Sequence, residues 1–291
     1  MRLIWIFLCL PLILPAQSEL TVWEDSLVVL GETLLGDKDP GQRLAAAEKI
    51  LPVLQENFSS EEGYAHPFDS IRHLSIQESA DQAFKIFTWQ LYVNENCYDY
   101  FGALQLPNGS FVPFSEKKEV RDPEFDLLNA DQWMGAVYYH VQPFETKEGL
   151  YYLLFGYNGH SFFERQKIVE VLSIRDGKVQ FGAPVFFKPD GKRAEKRRIV
   201  LTYSAAANVR CNYDPGMEKI IYDHLIVGSG PNGGATLVPD GSYEAYQLKR
   251  GRWIYEEKVF HQISEEPPMP KPILEGRKSK DLFGKEKQKG K

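Results

Sequence analysis

The sequence predicts a mainly β fold of the α+β class: an N-terminal helical hairpin packed on a large antiparallel β-sheet body, closed as a barrel or folded over as a sandwich. Three observations carry this. The apolar period changes from 3.6 to 2 after about residue 68. Beyond that point, runs rich in aromatic and β-branched residues alternate with short turn signals. The connections are too short for the crossovers of a dozen or more residues that parallel strands need. Composition agrees, since 43% hydrophobic and 25% charged residues in a 291-residue chain exclude a mainly disordered or disulfide-dense protein.

The first element is a helix over 23–35, with Gly36 closing it. Its partner starts at Asp39, a capping side chain followed by Pro40 at the first helical position. Leu44, Ala47, Ile50, Leu51 and Leu54 then recur at helical spacing. Pro52 predicts a kink or an early end. Strands are expected at 84–93 (FKIFTWQLYV), 98–106, 134–144, 151–157 and 167–174, and again at 199–204, 209–213, 219–227, 243–248 and 253–260. Separators such as Asn158-Gly159 and Asp176-Gly177 supply the turns. About ten antiparallel strands must curl or fold over to bury their apolar faces, and a propeller remains a lesser alternative.

The two ends read differently. Residues 1–17 (MRLIWIFLCLPLILPAQ) place one cation, an apolar run of about a dozen residues and a small Ala16 in the order of a cleaved secretory signal. That run is shorter than the roughly 20 residues needed to span a bilayer, so no transmembrane span is expected. Ile6, Phe7 and Leu8 lack the small residue that precedes a lipidated cysteine. The expected organisation is a signal at 1–17, the hairpin at 18–66, the β domain at 67–264 and a Pro-rich, then basic, disordered tail at 265–291. Leu282 and Phe283 are an apolar interruption in that tail, a candidate docking element.

Charge is unevenly placed. The net is −6, yet the residues from Lys271 onward hold eight Lys/Arg against three acids, and the signal adds one cation, which leaves 18–270 at −12. An acidic body lacks the basic face that nucleic-acid binding requires. The cluster KRAEKRR at 192–198 is expected to be a solvated connection. Secretion implies a compartment that permits disulfides, where Cys97 and Cys211 either bridge or stay as buried thiols.

Familiar catalytic patterns fail on context. Gly228-Ser229-Gly230-Pro231-Asn232-Gly233 spells GxGxxG after a strand, but Pro231 and Pro239 prevent the helix a dinucleotide needs. Ser161 in GHSFF lacks the second glycine of a nucleophile elbow, and Ser115 with Lys118 sits in a polar run. The six histidines show no metal-ligand spacing, and 212–216 is not a calcium loop. No cofactor is expected. One strand, 219–227 (KIIYDHLIV), sends Asp223 and His224 to opposite, otherwise apolar faces, so both are expected to be buried in a structural network or an acid–base site. Tyr and Trp suit sugar or peptide recognition. Trp89, Tyr138, His140, Tyr152 and Tyr157 are the candidates, with Tyr138 and His140 expected on one face.

The segments FKIFTWQLY, YYLLFGYNG, FGAPVF, IIYDHL and VPDGSYE resemble those of exported bacterial proteins of unassigned function, a resemblance that implies no activity or residue role. The leading expectation is an exported, soluble, non-enzymatic protein that binds an envelope or extracellular partner, carbohydrate or protein. The alternative is a polysaccharide or peptide hydrolase with its acid and base on separate strands, Asp223 and His224 first. A third reading is assembly through edge strands.

Overall fold

A computed structural model describes residues 19–175, 177–189, 195–230, 233–257 and 259. The chain opens with α1 (Glu19–Gly36), α2 (Pro40–Asn57) and a short α3 (Glu61–Ala65). Among the described residues fifteen strands follow: β1 (Ser75–Glu78), β2 (Lys85–Asn94), β3 (Cys97–Gln105), β4 (Phe111–Phe114), β5 (Leu128–Asn129), β6 (Val137–Thr146), β7 (Gly149–Asn158), β8 (Glu164–Arg175), β9 (Lys178–Phe181), β10 (Phe186–Phe187), β11 (Ile199–Ser204), β12 (Cys211–Asp214), β13 (Lys219–Ser229), β14 (Ala235–Lys249) and β15 (Arg252–Glu256). None of the described helices is long and apolar enough to cross a membrane. The segments expected to be a signal and a Pro-rich tail lie outside the described residues.

Three sheets form, and their orders show no closed barrel among the described residues. The first runs β1-β2-β3-β4, the middle one β5-β9-β8-β7-β6 with β11 also on β8, and the third β10-β15-β14-β13-β12. Among the described residues the strands pair antiparallel except for a two-residue parallel match of β10 with β15, and outside the strands Glu116 and Trp133 form an isolated parallel bridge. Three cores stack these layers. Leu27, Ala47, Ile50 and Leu54 of the hairpin pack on Phe87, Trp89 and Leu91 of β2. The opposite face of the first sheet, with Phe84, Ile86 and Leu104, meets Tyr152, Leu154 and Ile168 of the middle sheet. The far side of the middle sheet, with Leu153, Phe155 and Val169, meets Ile220, Tyr222 and Trp253 of the third. The middle sheet is thus covered twice, which is why YYLLF at 151–155 is apolar without alternation.

Local chemistry explains the helices. Asp39 accepts a hydrogen bond from the Gly41 N–H at 2.8 Å, as its capping position requires. Pro52 does not end α2, so of the kink or early end expected there the early end does not occur. An interior proline costs about 3 kcal/mol, whereas Ile50, Val53 and Leu54 are buried around it, each contributing roughly 1.5–3 kcal/mol. Packing therefore wins. Trp89 fastens the hairpin to the sheet by donating its Nε1–H to the Ala47 carbonyl at 3.1 Å.

Buried polar groups tie the layers together. On α1, Glu24 lies 2.7 Å from His66 Nε2 and accepts the Ser70 N–H at 2.6 Å, anchoring the segment that leads into β1. The largest surprise is Arg198. Expected in a solvated basic cluster, it is fully buried, with Nε 2.9 and 2.8 Å from the two carboxylate oxygens of Glu170 on β8. Its remaining donors reach the carbonyls of Pro123, Asp126 and Phe181. Burial pushes the Glu170 carboxyl upward while the Arg198 guanidinium pulls against it.

Candidate functional site

The expected site residues scatter. Trp89 and Tyr138 are core: the Tyr138 hydroxyl accepts from Trp133 Nε1 at 2.8 Å, and its ring lies between the first and middle sheets. Tyr152 is also buried, with its hydroxyl donating to Asp81 at 2.7 Å. A bulge falls between Tyr138 and His140, so these two do not share a face: Tyr138 joins the first-to-middle core, while His140 packs beside Phe155 of the other core. Burial lowers the His140 pKa, favouring the neutral ring. Tyr157 stands at the end of β7 next to Asn158.

The expectation for the strand 219–227 is corrected in part. β13 is an inner strand of its sheet, and Asp223 is buried, 7% exposed. Its carboxylate accepts the Arg210 N–H at 2.6 Å, and its own N–H donates to the Arg210 carbonyl. His224 is instead partly wetted, with a side chain 35% exposed, because the β13–β14 register shifts at this point. The β14 side loops out at Asp240, Gly241 and Ser242, with Gly241 at φ +89°, a conformation glycine supplies without strain. His224 Nδ1 lies 2.9 Å from Asp240, and Nε2 lies 4.0 Å from Glu244. Of the GxGxxG run, Gly228 and Ser229 end β13 and the Gly230 N–H donates to the Gly234 carbonyl, while Pro231 and Asn232 lie outside the described residues.

Cys97 and Cys211 are both free thiols, on strands of different sheets, so the bridge considered for them is not formed. Cys211 is buried in the core beside the third sheet, which pushes its thiol up to about 12. Cys97 is half-buried and lines a cleft at one end of the stack.

That cleft, of about 290 Å³, lies where the β2–β3 turn, the segment after β4 and the β7–β8 turn converge. Tyr98, Tyr100 and Met134 give it aromatic and apolar wall; Glu116, Lys118, Asn158 and Gln166 give it polar groups. Lys118 Nζ donates to Asp99 at 2.5 Å and the Tyr98 carbonyl at 3.0 Å, and lies 2.8 Å from Glu116. Burial works to lower its pKa, but Asp99 and Glu116 outweigh that and hold it above the ordinary lysine value. Glu116 also accepts the Tyr100 N–H at 2.9 Å.

The β7–β8 turn is held firmly. Asn158 donates to the Gly135 carbonyl at 2.7 Å and accepts the His160 N–H at 2.7 Å, which fixes His160 at φ +50°. Gly159 gives its N–H to the Tyr100 hydroxyl at 2.6 Å, and a Cβ there would sit 2.7 Å from the Tyr98 ring. Only glycine lets Tyr98 lie so close. Arg165 pins the same turn through the carbonyls of Gly159, Ser161 and Glu164. Just beyond stand Phe162 and Phe163, both exposed, with rings in edge contact at 4.8 Å.

Of the ligand-binding residues expected from sequence, only Tyr157 neighbours this cleft, which the candidate disulfide residue Cys97 also lines. Sequence reasoning missed Tyr98, Glu116, Lys118 and Gln166 as a group, since they come from three separate segments. Asn158-Gly159 was the one local signal, read as a turn. No family model matches the chain, and no curated protein or solved structure matches it either.

Proposed function

We propose that this chain is an exported, non-enzymatic binding protein that recognises an envelope or extracellular carbohydrate or peptide through the cleft beside Cys97. The carrying observation is the pairing of aromatic wall, Tyr98 and Tyr100, with convergent polar groups, Glu116, Lys118, Asn158 and Gln166, beside a β7–β8 turn fixed by its own hydrogen bonds. An apolar ring beside a few placed donors and acceptors is the chemistry that orients small polar ligands. A volume near 290 Å³ suits a single sugar unit or the end of a peptide. Export rests on the signal-like order of residues 1–17.

Ligand-observed NMR against glycan and peptide panels tests this. Tyr98→Ala and Lys118→Met are expected to weaken any hit roughly tenfold or more. A hit whose affinity ignores both changes would overturn the assignment.

One observation favours a second reading, a polysaccharide or peptide hydrolase. His224 is oriented through Nδ1 by Asp240 with its ring partly wetted, the arrangement of a general base. Turnover abolished by His224→Gln yet kept in Lys118→Met would replace the first reading with this one.

A further inference from the structure

The β13–β14 hairpin outgrows its sheet. β12 pairs only with 219–222 of β13, and β15 pairs only with 245–249 of β14. Past the bulge at His224, Leu225–Ser229 pair with Ala235–Pro239 and, among the described residues, with no further strand. An isolated two-stranded ribbon is marginally stable in water at best. This one is also apolar on both faces. Leu225 and Val227 lie opposite Pro239 and Leu237 on one face, and Ile226 lies opposite Val238 on the other. Val227 is 73% exposed and Ile226 43%, and none of these side chains belongs to the three cores.

Charge distinguishes the ribbon from the rest of the molecule. Residues 225–239 contain no Asp, Glu, Lys, Arg or His, in a chain that is 25% charged. The β13 edge reads Leu-Ile-Val-Gly-Ser, without the lysine or proline that natural edges use to repel a neighbour. The β14 side, by contrast, carries Pro239. We propose that the β13 edge of this ribbon pairs antiparallel with the same edge of a second copy, joining two hairpins into a four-stranded sheet across a twofold axis.

Strand chemistry selects a second copy, and the length of the arm permits it. An open strand edge calls for another strand edge, and the antiparallel match of β13 with itself puts uncharged, β-branched residues opposite one another. The residues from 18 to 270 carry a net −12, so two copies repel wherever their bodies approach. A five-residue arm spans about 17 Å, beyond the roughly 8 Å over which such repulsion acts at physiological salt. A lipid surface fits less well, because hydrocarbon leaves the edge N–H and C=O groups unsatisfied. The contact is smaller than a standard interface, so the dimer is expected to be weak and concentration-dependent.

Sedimentation velocity on the purified protein, from micromolar to near-millimolar concentration, is the test. The expected result is a reversible monomer–dimer equilibrium, weakened roughly tenfold or more by Val227→Lys, which places like charges face to face. Val29→Lys, on the exposed face of α1, is expected to leave it unchanged. Amide exchange at 225–229 is expected to slow as the dimer forms. Because Val227 is wetted, far-UV circular dichroism should show an unchanged fold in its variant. A strict monomer throughout, a dimer indifferent to Val227→Lys, or a monomer whose ribbon is protected only by neutral phosphatidylcholine vesicles would each overturn the proposal.

Discussion

Two acid–base contacts of nearly equal length lie in opposite settings. Glu170 and Arg198 meet at 2.8 Å between the first and middle sheets with no solvent contact, while Asp240 and His224 meet at 2.9 Å on a wetted bulge of the third sheet. The buried pair depends on its partners being complete, because a stranded charge there has no water to fall back on. The wetted pair can lose a member and recover solvation. Contact distance is thus a poor guide to consequence; the surrounding layers decide it.

The sharpest way to break the comparison is Arg198→Met, which leaves the Glu170 carboxylate alone. A loss of about 3–5 kcal/mol is expected by urea unfolding, with much of it restored in the Glu170→Gln/Arg198→Met double variant. A loss under about 1 kcal/mol would mean that water reaches the pair. Next in size, Leu153→Ala in the twice-covered middle sheet should cost about 2–5 kcal/mol, whereas Val227→Ala in the ribbon should stay within about 0.5 kcal/mol. Trp89→Phe removes the bond to the Ala47 carbonyl and should cost about 1 kcal/mol, read from the same urea curves.

The smallest effect belongs to the wetted pair. Asp240 is held at about 2, first by the Ser242 N–H and hydroxyl, then by His224. An unfolded aspartate titrates near ~3.9. The native state therefore gains from Asp240 above about pH 4 and loses that gain as pH falls through 2. Asp240→Asn should lower the melting temperature modestly at neutral pH, where that gain is fully present, and flatten its fall between about pH 4 and 2. An unchanged acid limb would show that the carboxylate is not held in solution.

Much of the fold was legible because alternation and helical spacing are local signals. The hairpin with its Asp39 cap, the antiparallel strands and the apolar 151–155 run all follow from them. Bulges were not legible: one extra residue at Tyr139 separates Tyr138 from His140, and the loop-out at Asp240 brings His224 to water. Arg198 was hidden by its basic neighbours, although Glu170 gave a clue, since alternation sets it on the apolar face with Ile168 and Leu172. The cleft left the least trace. Its walls come from segments as far apart as Asn96 and Gln166, and their convergence is a property of sheet stacking alone.

Cys97 offers the most direct test of the binding cleft, because it lines that cleft while the other thiol in the β body, Cys211, is sealed in a core. Thiol labelling of the native protein should modify Cys97 rapidly and Cys211 only on unfolding, with a bound sugar or peptide slowing the first reaction in proportion to occupancy. A ligand that saturates the protein without altering Cys97 labelling, or a protein labelled at Cys97 that binds as well as before, would contradict the assignment.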